Sequence, residues 1–317
     1  MNQARSSAVR HRLVARVACA LAALVVCAPA ASQDIPIPTF SFYKLEPVKI
    51  VEWKAVAQLG VSLSFGNTEA KSISGSGSVS RRAGDNKFSA DAALALAQAK
   101  FLVAKEIDDG RPGITQSGEI DKENRTTTES WSVGARYDRF FAEWNSVYAS
   151  AGATRDEPAG KSLFVGGQVG YRRVLYQRGK QELAAELGTD FTRREFAPPA
   201  ASIEVISARA FVGYRAEPDP LLGITASVDA LTNLNSEAPR VPGFKKTNPL
   251  NDNRVNAIVS TTVKLSEYGS LGLQFSAHYE QVPAPLPAID GHPYIGFTPL
   301  ADRFDAKTEL VLIWRLL

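Results

Sequence analysis

The stretch WKAVAQLGVSLSFGNTEAKSISGSGSVSRR, residues Trp53 to Arg82, contains two runs in which apolar and polar residues alternate. In the first run Trp53, Ala55, Ala57, Leu59, Val61, Leu63 and Phe65 share one face, and Lys54, Gln58, Gly60, Ser62 and Ser64 share the other. A period of two sustained over this length predicts a β-strand. The polar face is even-numbered on both sides of the joining segment (Ser62, Ser64; Ser72, Ser74, Ser76). Antiparallel neighbours that share a face in this way need an odd number of loop residues, because a one-residue slip turns every side chain over. A three-residue turn, Gly66-Asn67-Thr68, with Phe65 opposite Glu69, meets that condition, and Gly and Asn tolerate the positive φ it requires.

The same pattern recurs to the C-terminus. We read about twelve strands of roughly 11–15 residues, longer than the ~5–6 residues usual in soluble sheets and long enough to cross a bilayer at a tilt. They span approximately 53–65, 70–82, 87–103, 125–140, 145–156, 162–176, 181–195, 203–216, 221–235, 253–266, 270–282 and 302–316. In the run from Glu182 to Thr192, Leu183, Ala185, Leu187 and Phe191 oppose Glu182, Glu186, Gly188 and Asp190. In the last run Phe304, Leu310, Leu312, Trp314 and Leu316 oppose Asp305, Lys307, Glu309 and Arg315. The polar faces carry Gly, Ser and both signs of charge, as the lumen of a membrane barrel does. A β-sandwich also alternates, but its solvated face carries more Lys and Glu. Connection lengths provide a second test. The tight ones (83–86, 141–144, 177–180, 217–220, 267–269) alternate with the long ones (104–124, 157–161, 196–202, 236–252, 283–301). That is the arrangement of an up-and-down barrel with short turns at one rim and longer loops at the other. The expectation is an all-β, transmembrane antiparallel barrel over residues 53–317. Trp53, Tyr137, Tyr171 and Trp314, near strand ends, then belong at the membrane interfaces rather than in a ligand cage.

The N-terminus reads as an export signal. Arg5, Arg10, Arg12 and Arg16 precede an apolar stretch, Val17 to Ala31, that contains the small-residue site Ala28-Pro29-Ala30. The apolar run is shorter than the ~20 residues a spanning helix needs. Residues 1–32 are therefore expected to be removed, leaving a Pro-punctuated linker, 33–52, ahead of the barrel. Their removal takes away four arginines and no acids, so the mature balance is 32 − 33 = −1 and the apparent basicity supports no nucleic-acid partner. Cys19 and Cys27 leave as well, which excludes disulfides and thiol chemistry from the mature chain. Val26 before Cys27 does not suit a lipidation site.

QLGVSLSFGNTEAKS (58–72), ARYDRFFAEWNSVYASAGATRDE (135–157) and VGGQVGYRRVLYQRGKQELAAELGTDF (165–191) resemble the YdiY-like salt-induced outer-membrane protein family, a domain of unknown function. The Gly66-Asn67-Thr68 turn and Tyr137-Asp138-Arg139-Phe140 carry the resemblance most specifically. It implies a barrel in the outer membrane of a Gram-negative bacterium, embedded in outer-membrane lipid and folded by the barrel-assembly machinery, with no settled activity. The chain departs from the usual aromatic terminus of such barrels, ending Ile313-Trp314-Arg315-Leu316-Leu317.

Motifs for catalysis are sparse, and no cofactor is indicated. The mature chain has two histidines, His278 and His292. His278, on the polar face between Ser276 and Glu280, is the one candidate base for a lipid- or lipopolysaccharide-directed enzyme and would need a hydroxyl nucleophile within about 3 Å. As polar wall lining it needs no partner, and that reading is preferred. Two histidines with scattered acids make no metal site. Gly160-Lys161-Ser162 resembles the end of a phosphate loop, but the required upstream Gly is Arg155. Asp108-Asp109-Gly110 and Asn251-Asp252-Asn253 complete no calcium loop, and loop solvation accounts for them.

The charges of the polar faces are more informative. Aligning strands across 177–180 with even residues inward sets Arg172 opposite Glu186 and Gln168 opposite Asp190. Across 196–202, Asp190 can fall opposite Arg209. The expected ladder is therefore Arg172/Glu186 and Gln168/Asp190/Arg209 over three neighbouring strands. Such a row either neutralises and fills the barrel or lines a constriction that selects solutes. The reading is thus a structural barrel or narrow solute channel, with a barrel enzyme or a receptor built on the long loops as alternatives.

Overall fold

The computed structural model describes residues 51–64, 70–104, 120–198, 200–239, 245–286 and 300–316. They form twelve strands: β1 (Glu52–Ser64), β2 (Ala70–Ala83), β3 (Asn86–Ala104), β4 (Ile120–Ala142), β5 (Asn145–Asp156), β6 (Lys161–Arg178), β7 (Gln181–Phe196), β8 (Ile203–Asp219), β9 (Leu222–Asn233), β10 (Asn253–Lys264), β11 (Gly269–Glu280) and β12 (Phe304–Arg315). Each pairs antiparallel with its sequence neighbours. β1 closes on β12 with Val56 opposite Arg315 and Val61 opposite Leu310, so the sheet has no free edge. Among the described residues no helix is long and apolar enough to cross a membrane. The expected signal segment, residues 33–50 of the expected linker and the Gly66-Asn67-Thr68 turn lie outside the described residues, and Glu52, expected in the linker, opens β1. The strands flanking that turn keep the expected parity, with Gln58 opposite Ser76.

Burial is inverted relative to a soluble protein. Leu187 is 66% and Leu94 64% exposed, whereas Glu186 and Arg209 are each 2% exposed. Leu187 follows Glu186 directly, so the period of two throws one outward and the other inward. A barrel whose outer face is apolar and whose charges are sealed inside is stable only where lipid replaces water outside. Closure matters for the same reason, since an unpaired backbone amide or carbonyl in hydrocarbon costs several kcal/mol, on the order of a lost hydrogen bond or more. Trp53, Tyr137, Tyr171 and Trp314 all sit on the outer surface toward the rim of tight turns. Tyr137 donates to Asn86 Oδ1 at 2.5 Å, and the Arg81 guanidinium lies 5.8 Å from the Trp53 ring.

Local sequence sets the turns. Ala83 pairs with Asn86 and Arg178 with Gln181, leaving Gly84-Asp85 and Gly179-Lys180 as two-residue loops. Gly84 and Gly179 take φ of 57° and 56°, the first central position of a hairpin turn that matches the strand twist. At the opposite rim the chain folds inward. Ala284 packs with Phe164, Phe196, Ile203 and Val205, lumen-facing residues of β6, β7 and β8. The segment reaches them from β11, which stands five strands from β6 in the barrel order. Gly160 makes the contact possible. Its φ is 76°, and a Cβ there would meet the Pro285 carbonyl oxygen at 2.0 Å. Gly160→Ala is therefore expected to unseat this segment, at a cost of about 1–2 kcal/mol from the left-handed backbone alone. Limited proteolysis of the folded barrel should cut near 281–286 faster in the variant than in the parent, with the gel shift of the folded barrel retained.

Candidate functional site

Lumen-facing residues of adjacent strands fall into transverse rows, and three of these rows build the site. The first runs Ser146, Arg172, Glu186, Phe211, Asp229. The second runs Lys87, Asp138, Tyr148, Gly170, Gly188, Arg209. The third runs Ser89, Arg136, Ser150, Gln168, Asp190, Ser207. Glycine makes the second row work. A Cβ at Gly170 would lie 2.7 Å from the Tyr148 ring, and one at Gly188 would lie 2.8 Å from the Tyr148 hydroxyl oxygen. The phenol therefore lies flat across two bare strands, and its oxygen accepts a hydrogen bond from Arg209 Nη1 at 2.8 Å.

Glu186 joins the rows. Arg136 Nη1 and Nη2 donate to its two carboxylate oxygens at 3.1 and 2.8 Å, a bidentate pair from β4, three strands away. Arg209 Nη1 adds a third donor at 2.9 Å, and Arg172 Nε lies 3.8 Å off. Each cation has a further acid. Arg136 holds Asp138 at 2.8 Å, Arg209 Nε meets Asp229 at 2.9 Å, and Arg172 Nη2 donates to Glu182 at 2.8 Å. The Arg136 guanidinium also stacks 4.0 Å over the Tyr148 ring. The result is a belt of alternating charge that crosses the lumen instead of merely lining it.

The structure places Arg172 opposite Glu186 and Gln168 opposite Asp190. Arg209 does not fall opposite Asp190, and that part of the expected ladder is corrected. The β7–β8 register is displaced by two residues, so Asp190 faces Ser207 and Arg209 faces Gly188. The shift places Arg209 where Tyr148 and Glu186 can both reach it. Asp190 instead accepts from Gln168 Nε2 at 3.2 Å and from the Thr192 hydroxyl at 2.8 Å, with Arg254 at 4.0 Å. Arg136, Tyr148 and Asp229 were missing from the sequence reading. The first two lie within the 135–157 stretch that carries the family resemblance.

A second ionic cluster lies toward the long-loop rim. Arg194, fully buried, pairs with Asp252 at 3.2 Å and Glu280 at 3.4 Å. Lys161 lies 3.8 Å from Glu280. Asp252 is thus not a solvated loop residue, contrary to the sequence reading. Asn233 draws it in, accepting from the Asp252 amide at 2.9 Å while donating to the carbonyls of Asn235 and Asn248. His278 lies on the lumen side with its Nδ1 against Asn256 Oδ1 and its Nε2 3.8 Å from Glu280. A carboxamide and a carboxylate thus face its two nitrogens. Among the described residues no group of three or more His, Cys, Asp or Glu is placed to hold a metal. The other histidine of the mature chain, His292, lies outside the described residues.

Beside the Glu186 belt, lined by β3 to β8 and by Arg254 of β10, lies a chamber of about 260 Å³. Its walls include Asp91, Arg136, Glu186, Asp190 and Arg254. A closed antiparallel barrel with an apolar exterior and a chamber of mixed charge inside is a membrane β-barrel. The chain belongs to the family described as protein of unknown function DUF481, whose model matches residues 57–287. No curated protein matches it. Solved structures similar to it include an outer membrane channel from Pseudomonas putida F1, 10% identical, with 89% of this chain and 100% of that chain covered and a TM-score of 0.45. They also include the NanC porin, 8% identical, covering 83% of this chain and 100% of that one at a TM-score of 0.44. The translocator domain of the autotransporter NalP from Neisseria meningitidis is 11% identical over 98% of both chains, with a TM-score of 0.36.

Removing one partner of a buried ion pair leaves its cations uncompensated, at about 3–5 kcal/mol. Glu186→Gln is therefore expected to be the most destabilising single change of charge in the lumen, well beyond Glu217→Gln, whose carboxylate pairs with Lys180 and Arg215 at the partly exposed end of β8. The temperature at which the folded band converts to the unfolded band on a gel measures this. Gly170→Val is expected to displace the Tyr148 ring and cost about 1–3 kcal/mol by overpacking, read the same way.

Proposed function

We propose that the mature chain is an outer-membrane barrel of a Gram-negative bacterium, exported by residues 1–32, that serves as a narrow passage for small charged or polar solutes. The observation that carries this reading is the position of Asp190. The register turns this carboxylate away from Arg209, and, held by Gln168 and Thr192, it lines the chamber with Arg254 at 4.0 Å. Charged groups of both signs around a narrow opening screen solutes by charge and size. The Glu186 belt sets the width, because it bridges walls three strands apart. The long loops would face the exterior and the tight turns the periplasm. A role under salt or osmotic stress is consistent with the YdiY-like resemblance. The contacts of His278 with Asn256 and Glu280 support its reading as polar wall lining.

The test is single-channel recording of the refolded barrel in a planar bilayer. Small, stable conductance steps are expected, well below those of an open porin. Asp190→Ala should shift selectivity severalfold toward anions while the barrel still shows its heat-modifiable gel shift. Insertion without conductance in the parent chain would overturn the channel reading in favour of a plugged structural barrel.

A further inference from the structure

The chamber lies along an unusual row. Asp91 on β3 pairs with Gly134, Gly134 with Gly152, Gly152 with Gly166, and Gly166 with Thr192. Three consecutive lumen positions thus have no side chain, and the wall between Asp91 and β7 is bare backbone. The Asp91 carboxylate lies over Gly134, where a Cβ would come within 3.0 Å of its Oδ1. Across the chamber, Arg254 reaches from β10 to Ser207, donating from Nη2 at 2.7 Å.

Most charges in the chamber wall are matched. Arg136 is held by Asp138 and Glu186, and Arg172 by Glu182. Two are matched less fully. Among the described residues Asp91 has neither an ion pair nor a hydrogen bond. Arg254 has one hydroxyl and an acid at 4.0 Å, and its buried Nε–H has no acceptor. Asp91 is half-buried, and a partly desolvated charge without a partner is stabilised by a counter-charge in the space beside it. One carboxylate without a partner and one guanidinium held only by a hydroxyl and a long ion pair face the same glycine-paved space, an arrangement that suits a ligand with both charges.

We infer that the chamber binds a small zwitterion, an amine-bearing carboxylate of amino-acid size, with its ammonium group at Asp91 and its carboxylate at Arg254. The inference names the solute class of the passage proposed above and rests on that reading only for its physiological meaning. Monovalent ions of either sign would satisfy one end and leave the other bare. Discrimination therefore lies in the pairing of the two ends, not in net charge.

The test is isothermal titration calorimetry of the folded barrel in detergent micelles. The probes are glycine, γ-aminobutyrate and 6-aminohexanoate, with hexanoate and hexylamine as single-charge controls. At least one zwitterion is expected to bind about tenfold more tightly than either control, equivalent to ~1.4 kcal/mol. Asp91→Asn and Arg254→Gln should each abolish that margin. Asp91→Asn should leave the unfolding temperature unchanged or raised, because the native carboxylate has no partner to lose. No preference for any zwitterion, or a preference that survives both substitutions, overturns the inference. Calorimetry reads occupancy whether or not the barrel conducts. A barrel that binds zwitterions without passing current would sink the channel and keep this site; one that conducts without preference would do the reverse.

Discussion

The Glu186 carboxylate accepts hydrogen bonds from guanidinium groups on β4 and β8, strands on either side of its own that do not neighbour one another. No sheet register brings β4 and β7 together; only closure of the barrel does. The interaction therefore depends on the whole fold, and the width of the lumen depends on it in turn. Much else in the interior follows from supplying it. Arg136 needs Asp138 and the Tyr148 ring to hold its plane, Tyr148 needs Gly170 and Gly188 to lie flat, and Arg209 needs Asp229 to offset its burial. Charges in such a space are weakly screened and poorly hydrated, so each must be matched locally. The wall chemistry is that requirement met strand by strand.

The barrel was readable from sequence because lipid and lumen impose opposite polarity on successive residues, and a period of two survives small errors of boundary. The strand count and the parity of the connections came from the same source. The β6–β7 pairing of Arg172 with Glu186 was readable as well. The two-residue Gly179-Lys180 turn alone sets even residues opposite odd ones, and the bulge between Val174 and Tyr176 adds the one residue that restores even opposite even, so the pairing followed from the polarity of the faces and not from the turn length. The β7–β8 register was not. Asp190 opposite Arg209 and Asp190 opposite Ser207 have the same parity, and a connection from 197 to 202 fixes neither. In the second, Arg209 stands opposite Gly188 and reaches over it to the Tyr148 hydroxyl, a contact between β8 and β5 that no pairwise alignment contains. Contacts across the lumen, such as Arg136 with Glu186 or Arg194 with Glu280, were hidden for the same reason.

The two ionic clusters differ in what surrounds them. Arg194 lies among Phe164, Asp252 and Glu280, beneath the inward-folded segment at Ala284, and has the character of a sealed core. The Glu186 belt borders a chamber on one side. A lumen that had only to be filled would have no use for this asymmetry. The row at positions 134, 152 and 166 presents three glycines, whose absent side chains weaken a strand and contribute no packing. Gly152 and Gly166 each face backbone so closely that a Cβ would fall at 2.9 and 2.7 Å from a carbonyl oxygen. At Gly134 the obstacle is different. There the nearest atoms are those of the Asp91 carboxylate, a side chain that could swing away. Backbone geometry thus accounts for two of the glycines, while the third keeps a carboxylate lying flat against the wall and open to the chamber. That position, more than the belt itself, separates a lumen that holds something from one that is merely held together.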